Sequence, residues 1–179
     1  MAQGRQADQT SGPLDGAVRC TTGTELEQVM SNKSLGDISE AMRDIDFCML
    51  TTISDEGLAG RPMSNNRDVE FDGDVFFFSD GDSRTVRDLE RNPSVGLSFQ
   101  GSAGVMGMVG KPGLFIAMEG KGELIRDKSQ FRDHWQKDLE RWWPQGVDTP
   151  GLTLIKVHAD RLHYWDGGSE AEISLDNDV

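Results

Sequence analysis

Hydrophobic residues recur at helical spacing directly after residue 33. Leu35, Ile38 and Met42 are three to four positions apart, with Asp37 between them, a spacing typical of an amphipathic helix. The residues before them are rich in Gly, Gln, Thr, Ser and Asp and include few large apolar side chains. So little apolar surface cannot offset the entropy of ordering the chain. We therefore expect a mobile arm over residues 1–33.

Short strands follow this helix, separated by turn sequences rich in Gly, Asp and Pro. The β-prone runs fall at 47–53, 58–65, 67–71, 75–78, 95–100, 114–125, 152–158 and 161–165. Because the first four are close together in the sequence, we expect them to form an antiparallel meander. A glycine stands at every third position from 101 to 113, which favours a flexible loop or a glycine-kinked hairpin.

Two further helices are predicted as connectors between strands. Ser83 can cap a helix of about two turns that stops at Asn92-Pro93. Asp127 can begin the other helix. Its apolar stripe consists of Phe131, Trp135, Leu139 and Trp142.

These elements predict a mainly β fold with peripheral helices, a small antiparallel barrel over residues 34–167. An acidic, loose tail is expected over 168–179. A barrel of this size has no internal room for a large ligand, so we expect the binding site on a rim or at a subunit interface.

The chain is acidic, with 31 Asp and Glu against 18 Lys and Arg and a formal net charge of -13. Nucleic acids and anionic membranes bind basic surfaces, so the charge argues against both as partners. Apolar runs stay far below the roughly 20 residues of a membrane helix, and the first residues include no apolar signal core. We expect a cytoplasmic protein in which Cys20 and Cys48 are reduced thiols.

The sequence lacks the motifs of several common kinds of functional site. His134, His158 and His163 are too scattered for a metal site. The sequence contains neither the Gly-x-Ser-x-Gly elbow of a hydrolase nor a Gly-x-Gly-x-x-Gly turn for a dinucleotide.

Two cationic elements remain as candidates for binding an anion. Arg61 and Met63 share one face of a predicted strand, and Pro62 between them removes a backbone donor. In the second element, Ser83 and Arg84 open a helix, where backbone amides, a hydroxyl and a guanidinium can hold a phosphate. The alternative for this second element is that Ser83 only caps the helix and Arg84 is solvated.

The order of these motifs resembles the pyridoxamine 5'-phosphate oxidase-like FMN-binding split barrels, and within them the general stress protein 26 group. The resemblance rests on Arg61-Pro62-Met63, the aromatic strand 75–79, the run 83–89, Asn92-Pro93 and the closing strand 161–167. It implies a six-stranded split barrel, a homodimer and FMN at the dimer interface. Arg61, Ser83 and Arg84 would hold the FMN phosphate, and backbone near Met63 and Phe78-Ser79 would border the flavin ring. The full set of implied cofactor-binding residues is Arg61, Pro62, Met63, Phe78, Ser79, Asp80, Ser83, Arg84 and Trp165. For Trp165 a core aromatic is an equal alternative.

Departures from the family pattern argue against oxidation of pyridoxamine phosphate. Where the oxidases have an Arg-Leu-His run that grips the substrate, this chain has Gly168-Ser169-Glu170-Ala171-Glu172. The strand that begins at Leu114 also lacks the Arg-Gln pair of the oxidases. Three functions stay open: a flavin-dependent oxidoreductase acting on a small molecule, a stress protein that binds or stores flavin without turnover, and a structural dimeric barrel that binds no cofactor. FAD or the deazaflavin F420 in place of FMN also stays open.

Overall fold

The computed structural model of the protein describes residues 33–65, 70–101, 113–167 and 169–175. The predicted arm lies outside these ranges except for Lys33, as do most of the predicted strand 67–71 and of the glycine-rich segment. Lys33 is tied to the end of the last long strand. Its backbone N–H donates to the Tyr164 hydroxyl at 2.7 Å, and its ammonium pairs with Asp166 at 2.9 Å.

The described residues form three α-helices, two short 3-10 helices and seven strands. The helices are α1 (Leu35–Met42), α2 (Arg84–Arg91) and α3 (Lys128–His134), with 3-10 helices at Lys137–Arg141 and Gly146–Asp148. The strands are β1 (Phe47–Ser54), β2 (Gly57–Ser64), β3 (Asp74–Asp80), β4 (Ser94–Gln100), β5 (Phe115–Ile125), β6 (Leu152–Asp166) and β7 (Ser169–Ser174). Ser34 and Ser83 cap α1 and α2 through their hydroxyls, as short polar side chains do at helix N-termini.

One antiparallel sheet has the strand order β2-β1-β4-β5-β6-β3, and β7 pairs with the second half of β6. The predicted meander is therefore wrong beyond its first hairpin, because β3 pairs with β6 and not with β2. Strands β2 and β3 form the two ends of the strand order. Both line a single cavity, so the sheet curls until its ends approach each other without pairing. The mainly β split barrel expected from the sequence is confirmed.

The barrel interior is filled by side chains from alternating strand positions. One cross-strand row consists of Leu50, Leu97, Met118 and Leu162, which are directly opposite one another in register and almost fully buried. Aliphatic packing of this kind leaves the ligand-sized cavity at the gap between β2 and β3.

Three further expectations need correction. The segment after residue 167 is not wholly loose, since β7 places Ala171 and Ile173 against the core while Glu170 and Glu172 point outward. The strands predicted at 152–158 and 161–165 are one strand, β6, whose pairing with β5 shifts register by one residue between Glu119 and Gly120.

The predicted continuous stripe after Asp127 is also interrupted. Helix α3 ends at His134, and Trp135 has an extended backbone with φ -76° and ψ 130°. The break lets the rings of Trp135 and Trp143 both pack on Phe78, with centroids 5.0 and 6.3 Å away. Tertiary packing of aromatic rings therefore overrides the helical period here.

Candidate functional site

Arg61 lies on β2 with its guanidinium directed inward toward β1 and α2. Its Nη2 donates to Thr52 Oγ1 at 2.8 Å, to the Ala59 carbonyl at 2.9 Å and to Asp88 Oδ2 at 3.3 Å. The Thr52 hydroxyl donates in turn to the same Asp88 oxygen at 2.8 Å. The strand alternation predicted from the sequence accounts for this orientation, because Ala59, Arg61 and Met63 are all more buried than the residues between them.

The other terminal nitrogen of Arg61 has a different environment. Nη1 is buried and has no hydrogen-bond partner. A buried donor without a partner loses its hydration and gains nothing in return, and the cost is higher for a charged group. The position therefore suits an anionic oxygen delivered by a ligand.

The N-terminus of α2, the helix that carries the Arg61 partner Asp88, supplies further donors. The Ser83 hydroxyl accepts from the Val86 N–H at 3.2 Å and lies 2.9 Å from the Ser79 hydroxyl at the end of β3. Asp80 stabilises the turn between them by accepting from the Asp82 N–H at 3.2 Å. Ser79, Asp80 and Ser83 are thus brought together, as their spacing suggests.

Gly81 shapes this turn. A Cβ at that position would be 2.6 Å from the Gly151 carbonyl oxygen, so only glycine fits the close approach of the two backbones. The same contact carries a hydrogen bond from the Gly81 N–H to Gly151 at 2.7 Å. The turn is held at a fixed place against the start of β6.

Arg84 lies one helical turn before Asp88, so both residues share the side of α2 that faces the first hairpin. The Arg84 guanidinium donates to Ser54 at 3.2 Å and to Glu56 at 3.0 Å. Its side chain is 53% exposed, against 19% for Arg61. Arg61 and Arg84 therefore place one partly buried and one exposed cation on neighbouring parts of the barrel.

An apolar cavity of about 280 Å³ lies at the gap between β2 and β3. Its walls are Phe47, Pro62, Met63, Ser64, Phe77, Phe78, Leu139, Trp142 and Trp143. Three of the residues implied by the resemblance, Pro62, Met63 and Phe78, are thus found at one cavity. A more polar cavity of about 320 Å³ shares part of this wall, including Phe47 and Trp142.

Sequence reasoning did not assign Leu139, Trp142 or Trp143 to the site. The only signal for these residues in the sequence was the apolar stripe after Asp127, which predicted a helix packed on the barrel. The break at Trp135 instead turns the following 3-10 helix toward β2, where Trp142 remains 68% exposed beside the cavity.

Trp165 lies apart from the residues that line the apolar cavity of the same chain. It is on the half of β6 that pairs with β5 and β7, roughly 20 Å along the strand from the last residue paired with β3. Its ring stacks on His163 with centroids 4.1 Å apart, and its indole N–H donates to Glu170 at 3.1 Å. Trp165 is partly exposed, so it is not a core aromatic.

Metal or thiol chemistry finds no support in the described part of the chain. No group of three or more His, Cys, Asp or Glu side chains there could hold a metal ion. Burial raises the pKa of the Cys48 thiol to about 12, so it is protonated and unreactive at neutral pH. The helices within the described ranges are too short or too polar to span a bilayer.

Comparisons with known proteins now identify the family. The sequence profile of the family described as pyridoxamine 5'-phosphate oxidase like matches residues 33–176. The chain belongs to the pyridoxamine 5'-phosphate oxidase-like family. Comparison with curated proteins gives no match.

Solved structures agree with this assignment at the level of the fold. A protein related to general stress protein 26 from Clostridium acetobutylicum has a TM-score of 0.65 and 19% identity, over 79% of this chain and 94% of that one. General stress protein 26 from Bacillus anthracis has a TM-score of 0.58 and 20% identity, over 74% and 93% of the two chains. A heme-binding protein from Mycobacterium smegmatis has a TM-score of 0.63 and 12% identity, over 82% and 60%. At identities of 12–20%, these likenesses show a shared fold.

Proposed function

We propose that this protein binds FMN, with the phosphate held between Arg61 and the N-terminus of α2. The observation that carries the proposal is the buried Arg61 Nη1, which has no partner although Nη2 has three. Ser83 and Arg84 lie at the start of the helix that carries Asp88, the partner of Arg61, and would add a hydroxyl and a second guanidinium. Donors of these types suit a phosphate group.

The apolar cavity between β2 and β3 suits the flavin ring. Pro62 and Met63 directly follow Arg61 on β2, so a ligand held at Arg61 can extend along the strand to the cavity. The cavity walls are aromatic and aliphatic, as expected for a planar ring system. FAD and the deazaflavin F420 also carry a phosphate and a planar ring system, and they are the alternative cofactors to FMN.

A homodimer fits the outer face of the sheet. The outward residues of β1, β2 and β4 are all uncharged, although 27% of the chain is charged. Phe47, Met49, Ile53 and Leu58 on this face are exposed. A second copy of the chain is the occupant that we propose, because an apolar and charge-free face pairs with itself without like-charge repulsion. Trp165, which is remote from the cavity in its own protomer, would reach a flavin only in such a dimer.

When bound, the flavin supplies redox chemistry, and the protein needs to bind and orient it. The polar cavity beside the ring cavity gives a small molecule a place to approach. The carboxylates of Glu170 and Glu172 on β7 disfavour the phosphate of pyridoxamine phosphate, so that compound is not the proposed substrate. Oxidation of NADH or NADPH by the FMN-loaded protein distinguishes an oxidoreductase from a protein that only stores flavin.

An absorption spectrum tests the cofactor. The purified protein is incubated with FMN, FAD or hemin, desalted and scanned. We expect a flavin spectrum to persist with FMN, to weaken in Arg61→Met and Arg84→Ala, and to be unchanged in Arg126→Ala. Arg126 is the matched control because it is an exposed arginine that pairs with Glu90 away from the cavity. A heme spectrum without flavin retention would overturn the proposal.

A further inference from the structure

Asp88 is an unusual residue in the interior of this site. It is the only buried carboxylate among the described residues, with a side chain 3% exposed. Its Oδ2 accepts from Thr52 and from Arg61 Nη2. Burial of an ion pair costs desolvation that often exceeds the gain, and a pair of this kind is weak evidence for stability. The charge of Asp88 therefore calls for another role.

We propose that Asp88 is an internal counter-ion that lowers the phosphate affinity of Arg61, so that the cofactor loads reversibly. The inference rests on the proposed function, because it concerns the same phosphate site. Asp88 partly neutralises the guanidinium through Nη2 and leaves Nη1 for the ligand. It also repels a phosphate bound at that guanidinium, because the two anions share one cation in a site of low dielectric. Asp88 thus positions Arg61 and sets the affinity of the site.

Glu56 offers a contrast on the second arginine. It pairs with Arg84 at 3.0 Å, but its side chain is 83% exposed. Water and salt screen such a pair, so its effect on a ligand is small. Asp88 and Glu56, which contact the two arginines proposed to bind the phosphate, therefore differ in burial.

The test compares FMN and riboflavin affinities of Asp88→Asn and Glu56→Gln with those of the wild type, by titration of flavin fluorescence. Asparagine keeps an oxygen that can accept from Thr52 and Arg61 but removes the charge. We expect FMN to bind about tenfold more tightly to Asp88→Asn, equivalent to ~1.4 kcal/mol. Riboflavin affinity should be unchanged, and Glu56→Gln should change FMN affinity less than twofold.

Weaker FMN binding in Asp88→Asn would overturn the inference, since Asp88 would then serve only to hold Arg61. Equal gains for FMN and riboflavin would overturn it too. Thermal unfolding verifies that Asp88→Asn and Glu56→Gln are folded. If neither the wild type nor Asp88→Asn binds FMN, the proposed function itself fails. If the wild type binds FMN and Asp88→Asn binds it no more tightly, only the inference about Asp88 fails.

Discussion

Removal of the Arg61 guanidinium should destabilise the ligand-free protein, because it leaves the buried Asp88 carboxylate without its cation. Arg61→Met is the suitable change, since methionine keeps an unbranched stem and removes only the charged end. Breaking a buried pair by removing one partner costs about 3–5 kcal/mol. Arg61 is 19% exposed and Asp88 keeps the 2.8 Å hydrogen bond from Thr52. We therefore expect a loss of about 2–3 kcal/mol in the free energy of unfolding.

Urea unfolding followed by tryptophan fluorescence, at one protomer concentration, measures this loss. Arg84→Ala is the control and should cost less than about 0.5 kcal/mol, because both partners of its ion pair are exposed. In the double variant Arg61→Met/Asp88→Asn the unpaired charge is gone, so much of the stability should return. Equal costs for Arg61→Met and Arg84→Ala, or a double variant that equals the sum of its single changes, would refute the reasoning.

Three other predictions follow from the cavity, the outer face and the titratable groups. Trp142→Ala should weaken FMN and riboflavin equally, by about five- to tenfold, in fluorescence titrations, because it removes a ring contact; a loss confined to FMN would contradict this placement. Met49→Asp should convert a homodimer to monomers of about 20 kDa in sedimentation, since it puts a charge on the uncharged face; a wild-type monomer would contradict the dimer. Burial alone would raise the pKa of Asp74, but hydrogen bonds from Lys156 and His158 outweigh it and lower the pKa below its ordinary value. Asp74 should therefore stabilise the fold above about pH 4, by about 1 kcal/mol, and lose that contribution as pH falls through its lowered pKa; Asp74→Asn should remove this part of the pH dependence of urea unfolding.

Local patterns in the sequence were sufficient to predict most of the helices and strands. The β-prone runs at 47–53 and 95–100 predict two strands, and the structure has β1 at Phe47–Ser54 and β4 at Ser94–Gln100. The hydroxyl of Ser83 likewise marks the start of α2. These features depend on neighbours a few residues apart, which is the range over which a pattern is readable.

Local patterns of this kind do not predict contacts between residues that are distant in the sequence. The pair Arg61–Asp88 joins residues 27 positions apart on a strand and a helix, and no spacing rule connects them. The break at Trp135 depends on Phe78, which is on another element. Strand β7 was missed because its acidic residues dominate the composition, although Ala171 and Ile173 carry the period of two that a strand requires.

The ratio of FMN to riboflavin affinity reports on the proposed phosphate site, because the two ligands differ by the phosphate alone. A charged hydrogen bond contributes about 1.5–3 kcal/mol, or about ten- to a hundredfold in affinity. We expect the wild type to bind FMN at least about tenfold more tightly than riboflavin, and Arg61→Met to remove most of this difference by weakening FMN alone. Equal affinities for the two ligands in the wild type, or an undiminished preference for FMN in Arg61→Met, would contradict this expectation.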